Sequence, residues 1–232
     1  PPVSKLSDLE KLKKMNSGKI YFNFNFRFSK IKEILELSSR YKLGKLLYGN
    51  IINSHGLAYK KDYKLNWRSN IKKNPLGIYE TVQIHFIDLV NFCFSIKKID
   101  KPTLLNLSSS GTSYDTSHSK IYAENNAVID IFSTYKSCLS NKKYFLFQNG
   151  SLEQSNSSIT IRGPAKNLDK KGFFKNPNLI KKFTISNKKD FDDSLEKSVN
   201  FFIKHCRRQK KFKKKLFLKS ISTNKYLLNN KF

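Results

Sequence analysis

The chain has 232 residues, 38% hydrophobic and 13% aromatic, with a formal net charge of +28. That apolar content excludes wholesale disorder and suits a domain able to bury its own core. No apolar run nears the roughly 18 residues of a membrane span, and PPVSKLSDLEKLKK holds no apolar signal core, so neither membrane insertion nor secretion is expected.

Cys93, Cys138 and Cys206 are scattered and odd in number. They form neither a disulfide framework nor a CxxC pair, which points to a reducing, cytoplasmic setting. The four His are dispersed as well, so no metal site is expected. Of the 45 basic residues only six are Arg, the usual reader of bases and phosphates. The Lys excess travels with Asn, Ile, Phe and Tyr, which share AT-rich codons. The charge is therefore read as coding bias rather than as the mark of a nucleic-acid partner. The most basic segment, RRQKKFKKK at 207–215, reads as a solvated helix end.

In chain order, Leu6 to Met15 is a helical stretch, with Ser7 as N-cap, Glu10 completing a capping box and Asn16-Ser17-Gly18 as the stop. Lys19 to Phe28, KIYFNFNFRF, alternates apolar and polar residues and predicts a strand with one buried face. Ser29 caps a helix through about Tyr41, closed by Gly44. Leu46 to Ser54 is a strand, and His55 to Asn66 a polar loop leading to Trp67-Arg68, placed to border a ligand. Asn74-Pro75 is a break that can open a helix. From Ile78 to Phe94 the apolar residues show no period of 2, and the run reads as a mostly buried helix. Thr81, His85 and Asp88 share one of its faces by their spacings of four and three.

Pro102 to Ser110 reads as a strand, followed by a Ser/Gly/Thr-rich loop to Ser119. Short strands then follow at Ile121 to Ala123, Ala127 to Tyr135, Tyr144 to Gln148, Ser151 to Gln154 and Ile159 to Ile161. Asn149-Gly150 between two of them is the strongest hairpin signal in the chain. Residues 163–188 read as an irregular, Lys-rich excursion. Asp190 to Arg207 predicts a helix with Phe191, Leu195, Val199, Phe202 and Ile203 along one stripe, and Leu216 to Leu228 a last short one. These elements predict an α+β fold: an open, mostly antiparallel β-sheet with helices packed on one face.

Asn25-Phe26-Arg27-Phe28, the Leu43-Gly44-Lys45 turn, Trp67-Arg68, Gly77 and the His85-x-x-Asp88 helix resemble the C-terminal domain of Gfo/Idh/MocA-type oxidoreductases. The resemblance covers Lys19 to Phe94 most closely and the rest loosely. It implies NAD- or NADP-dependent oxidation or reduction of a sugar or sugar-nucleotide hydroxyl, with His85 as the proton-transferring residue. It also implies a substrate site lined by Asn25, Arg27, Trp67, Arg68, Thr81 and Asp88. Thr81 stands where the family usually has Asp, with Glu80 beside it. Pro1 would close the family's Glu-Lys-Pro motif, making residues 1–18 a helical remnant of a domain junction and 19–232 the C-terminal domain. No G-x-G-x-x-G occurs in the 232 residues, so the cofactor would be bound mainly by a Rossmann domain missing from this chain. A homo-oligomer built through the sheet face is a further implication. A non-catalytic assembly or binding domain is the alternative reading, and a polyanion-binding module the third.

Overall fold

The computed structural model describes residues 3, 5–15 and 17–229. Pro1 and Asn16, named above, lie outside them. Five helices are present among the described residues: α1 (Leu6–Lys14), α2 (Lys30–Glu36), α3 (Ile84–Phe94), α4 (Asn187–Arg207) and α5 (Lys214–Leu228). Nine strands are β1 (Leu46–Ser54), β2 (Ile96–Ile99), β3 (Thr103–Leu105), β4 (Thr116–Ala123), β5 (Val128–Thr134), β6 (Ser140–Phe147), β7 (Gly150–Gln154), β8 (Ser158–Arg162) and β9 (Leu179–Thr184). They form one open sheet in the order β2-β4-β5-β1-β6-β7-β8-β9, with β3 also pairing β4. β1 runs parallel to β5; the other pairings are antiparallel. The predicted fold class is the one observed.

Alternation sorts the sheet into two faces. Ile51, Ile129, Ile131, Phe145, Leu152, Ile159 and Ile161 point inward and are fully buried. Residues of α2 and α3, with Leu227 of α5, complete that core. Gln83 ties the helical layer to the sheet: its Nε2 donates to the Ile131 carbonyl at 2.6 Å. The opposite face is more open, with Phe132, Tyr144 and Leu146 each over a third exposed there.

The expected Ile78–Phe94 helix is present but opens with a π turn, Tyr79–Gln83, before α3. Pro75 lies in the turn that precedes it, and Gly77 is the residue before the helix. Gly77 has φ +58°, and a Cβ there would run into the Tyr114 carbonyl. That same carbonyl accepts the Ile78 N–H at 2.9 Å, so the close approach is what starts the helix, and only Gly permits it.

Several expectations are corrected. Lys19 to Phe28 is not a strand: it is irregular chain ending in a 3-10 turn, Asn25–Phe28. Alternation alone does not make a strand without a neighbour to pair with, and this segment is instead bonded to helices through its side chains. Ser7 lies inside α1, whose N-cap is Lys5. Ser29 is the N-cap of α2, yet its hydroxyl donates back to Phe26 O, and Asp190 Oδ1 takes the Lys30 N–H instead. The strands β2 and β9 were not read from the sequence, because IKKI and LIKKFT are Lys-bearing edge strands with no clean alternation. The α4 stripe of Phe191, Leu195, Val199, Phe202 and Ile203 is only partly covered, each residue 37–48% exposed, with Phe191 against Phe26 and Phe202 against Phe212. The helix is also anchored through small buried residues, with Ser194 bonded to Asn25 and Ser198 to Tyr21 and Asn23.

Candidate functional site

A cavity of about 610 Å³ opens where α3, α4, the 23–31 segment and the inner ends of β1 and β6 meet. The irregular segment contributes Asn25 and Phe26, the end of β1 Asn53 and His55, and the π turn and α3 Thr81 and His85. Asn141 and Lys143 come from β6, and Asp190, Phe191 and Leu195 from α4.

His85 is half-buried, its ring set edge-on to Phe24 and Phe26 with centroids 5.8 and 6.1 Å away. Its Nδ1 is buried with no hydrogen-bond partner. Burial pushes its pKa down to about 4, so the ring is neutral and can accept a proton. Asn53 Oδ1, also on the cavity wall, is likewise buried without a partner. Buried polar atoms are rarely left unpaired, and two of them belong to residues that line this cavity. His85 also borders a smaller hollow of about 320 Å³, where Glu80 and Asn224 line the wall.

Thr81 is held in place: its hydroxyl donates to Gly77 O at 3.0 Å and lies 2.7 Å from the Tyr135 hydroxyl. The Tyr135 ring packs 4.9 Å from that of His55. His55 is held below its ordinary pKa by burial first and by the Arg68 charge second. Glu80, the neighbouring acid, is turned away from the main cavity and takes the Leu76 N–H at 2.9 Å, capping the helix start.

Of the residues expected at the site, the structure brings Asn25, Thr81 and His85 to one cavity. Arg27 and Asp88 are elsewhere. They form a buried ion pair, Nε to Oδ2 at 2.8 Å and Nη2 to Oδ1 at 2.6 Å, on the side of α3 that faces α5. The residue spacing of three from His85 to Asp88 is less than a full turn and takes the carboxylate around the helix, toward Thr223, whose hydroxyl donates to it at 3.0 Å. Trp67 is 45% exposed, with the Arg68 guanidinium 4.5 Å from its ring centroid, and neither lines the cavity. The Arg68 charge adds to the lowering of the His55 pKa and opposes the rise that burial gives Tyr135.

Sequence reasoning missed Asn53, Asn141, Lys143 and Asp190. For Lys143 a signal exists: it alternates with Phe145 and Phe147, which puts a Lys on the buried face of β6. Among the described residues no helix is long and apolar enough to cross a membrane.

No family model matches the chain. No curated protein matches it either. Solved structures do. An oxidoreductase from Agrobacterium radiobacter, in complex with NAD+, L-tartaric acid and magnesium, aligns at TM-score 0.73 and 12% identity, over 100% of this chain and 70% of its own. An oxidoreductase from Thermotoga maritima aligns at 0.71 and 15% identity, over 98% and 66%. A myo-inositol dehydrogenase from Corynebacterium glutamicum aligns at 0.66 and 16% identity, over 99% and 67%. The fold that the Gfo/Idh/MocA resemblance implies is thus the fold observed, shared along this chain with solved oxidoreductases of which it spans about two-thirds.

Proposed function

We propose that the chain is the substrate-binding part of a cytoplasmic, NAD- or NADP-dependent oxidoreductase acting on a sugar or sugar-nucleotide hydroxyl. The observation that carries this reading is the neutral ring of His85, set in a cavity that five asparagines also line. Such a lining suits a ligand with several hydroxyls, because amides both donate and accept. A bound nicotinamide supplies the hydride acceptor or donor; the residues of this chain orient the polyol and handle the proton. His85, neutral at pH 7, accepts the proton of the reacting hydroxyl as the carbinol carbon is oxidised. Asn25 and Asn53 bond flanking hydroxyls, and Thr81, fixed by Gly77 and Tyr135, holds that wall rigid.

No glycine lines the cavity and the 232 residues hold no G-x-G-x-x-G, which supports nucleotide binding mainly by a domain outside these residues. The 232-residue chain alone is therefore expected to bind NADH and NADPH weaker than micromolar in titration calorimetry. Micromolar binding would overturn that division of labour. For the whole oxidoreductase, the test is polyol-dependent reduction of NAD+ or NADP+ by the chain joined to such a domain; no turnover across a panel of sugars and sugar nucleotides would end the reading.

The more open sheet face favours a second role, assembly. Phe132 on β5 and Tyr144 and Leu146 on β6 share this face, with β1 between them, and suit a homo-oligomer that buries them. Light scattering at micromolar concentration should show more than one copy, and a strict monomer would count against it.

A further inference from the structure

We infer that the ligand of this cavity carries an acidic group, and that Lys143 is the residue that reads it. The site would take a sugar acid or a sugar phosphate in preference to a neutral polyol. This rests on the polyol reading above and narrows it.

Lys143 is only 2% exposed and stands on the inner face of β6, opposite Ile51 of β1. Its ammonium donates to Asn141 Oδ1 at 2.7 Å and to Gln154 Oε1 at 3.0 Å, both neutral amides. The rings of Phe26 and Phe86 lie 6.0 and 5.7 Å from it. Among the described residues no carboxylate comes within ion-pair distance of its nitrogen. The acid on the cavity wall, Asp190, is engaged by the Lys30 N–H at 2.8 Å. A buried cation without a counter-charge destabilises the fold, and a hydrophobic residue would serve packing better. An ammonium with three donors has one left after the two amides, and a ligand anion supplies both the missing acceptor and the missing charge. A neutral polyol supplies only the acceptor.

Burial holds the Lys143 amine down to about 7, the Asp190 charge opposing this. The empty site is then partly deprotonated near pH 7, and anion binding draws a proton in. The charged and titratable groups facing it across the cavity are His55, His85, Lys188 and Asp190. Both histidines are lowered by burial, His85 to about 4, so the range above about pH 7 isolates Lys143.

The test is calorimetric titration of the 232-residue chain with D-gluconate, D-glucose 6-phosphate and D-glucitol, at pH 7 in PIPES and in Tris. At least one acid should bind roughly tenfold or more tighter than D-glucitol, the usual worth of a charge-assisted hydrogen bond. Which acid wins tells a carboxylate from a phosphate. Binding should take up protons, seen as a buffer-dependent heat, and weaken between about pH 7 and 9. Lys143→Met should erase the preference, and Lys143→Arg should keep part of it. Equal affinity for acid and polyol, or a Lys143→Met chain that still prefers the acid, overturns the inference. If Lys143→Met does not fold, the wild-type chain decides: no proton uptake and no pH dependence would sink it. Acid binding that needs Lys143, with no hydride transfer in the joined enzyme, would leave this inference standing and remove the oxidoreductase reading.

Discussion

Asp88→Ala is expected to destabilise the chain by about 3–5 kcal/mol, lowering Tm by roughly 10 °C. The carboxylate is 1% exposed and the guanidinium of Arg27 6% exposed, so removing one leaves the other charged and buried. Burial raises the Asp88 carboxyl pKa, and the Arg27 bonds oppose this. The remaining guanidinium donors go to Ser220 Oγ at 2.9 Å and Leu216 O at 3.2 Å, both on α5. The Arg27 guanidinium carbon also lies 5.1 Å from the ring centroids of both Phe24 and Phe92. One ion pair thereby joins the 25–28 turn, α3 and α5. Arg27→Met should cost a similar amount. The double variant Arg27→Met/Asp88→Leu should recover much of the loss, because no uncompensated charge remains. Thermal unfolding reads all three; singles that unfold within a degree or two of wild type would show that the pair is not structural.

That ion pair also shows where the sequence stops being legible. The α+β class, β1 at its observed bounds, the Asn149-Gly150 hairpin and the α4 and α5 helices were readable because local patterns determine them. Arg27 and Asp88 are 61 residues apart, and nothing local says that they meet. A His-x-x-Asp spacing is compatible with a shared site and with two faces of one helix, and only the packing of α5 decides between them. The KIYFNFNFRF alternation misled for the same reason: a strand needs a partner, and its side chains found helix α4 first. The α4 stripe has a helical period whether or not anything covers it. Of the site, His85, Thr81 and Asn25 follow from a resemblance, not from their chemistry. Lys143 follows from simple alternation traced back along β6 from Phe147 and Phe145.

His85→Ala, in the chain joined to a nucleotide-binding domain, is expected to lower kcat by roughly 10²–10⁴ with a smaller change in KM, the span usual for loss of a general base. The substitution removes a ring that packs edge-on to Phe24 and Phe26 and makes no bond through Nδ1, so the fold should survive it. The pH dependence separates a proton acceptor from a packing residue. His85 is lowered from 6.5 to about 4 in the folded chain. Its neutral form therefore persists well below pH 6.5, and the acidic limb of kcat/KM that belongs to His85 should fall near pH 4–5 rather than near 6.5. The stability sign follows from the same shift. The unfolded chain takes up a proton at 6.5 and the folded chain only near 4, so the part of the stability linked to His85 is present above 6.5 and is lost as pH falls toward 4. His85→Ala should flatten that part of the acid sensitivity as well as the rate. A variant that loses the stability term but keeps full turnover would show that His85 only fills the wall between the two hollows. Loss of both, with substrate affinity largely retained, is the result a base facing the polyol requires.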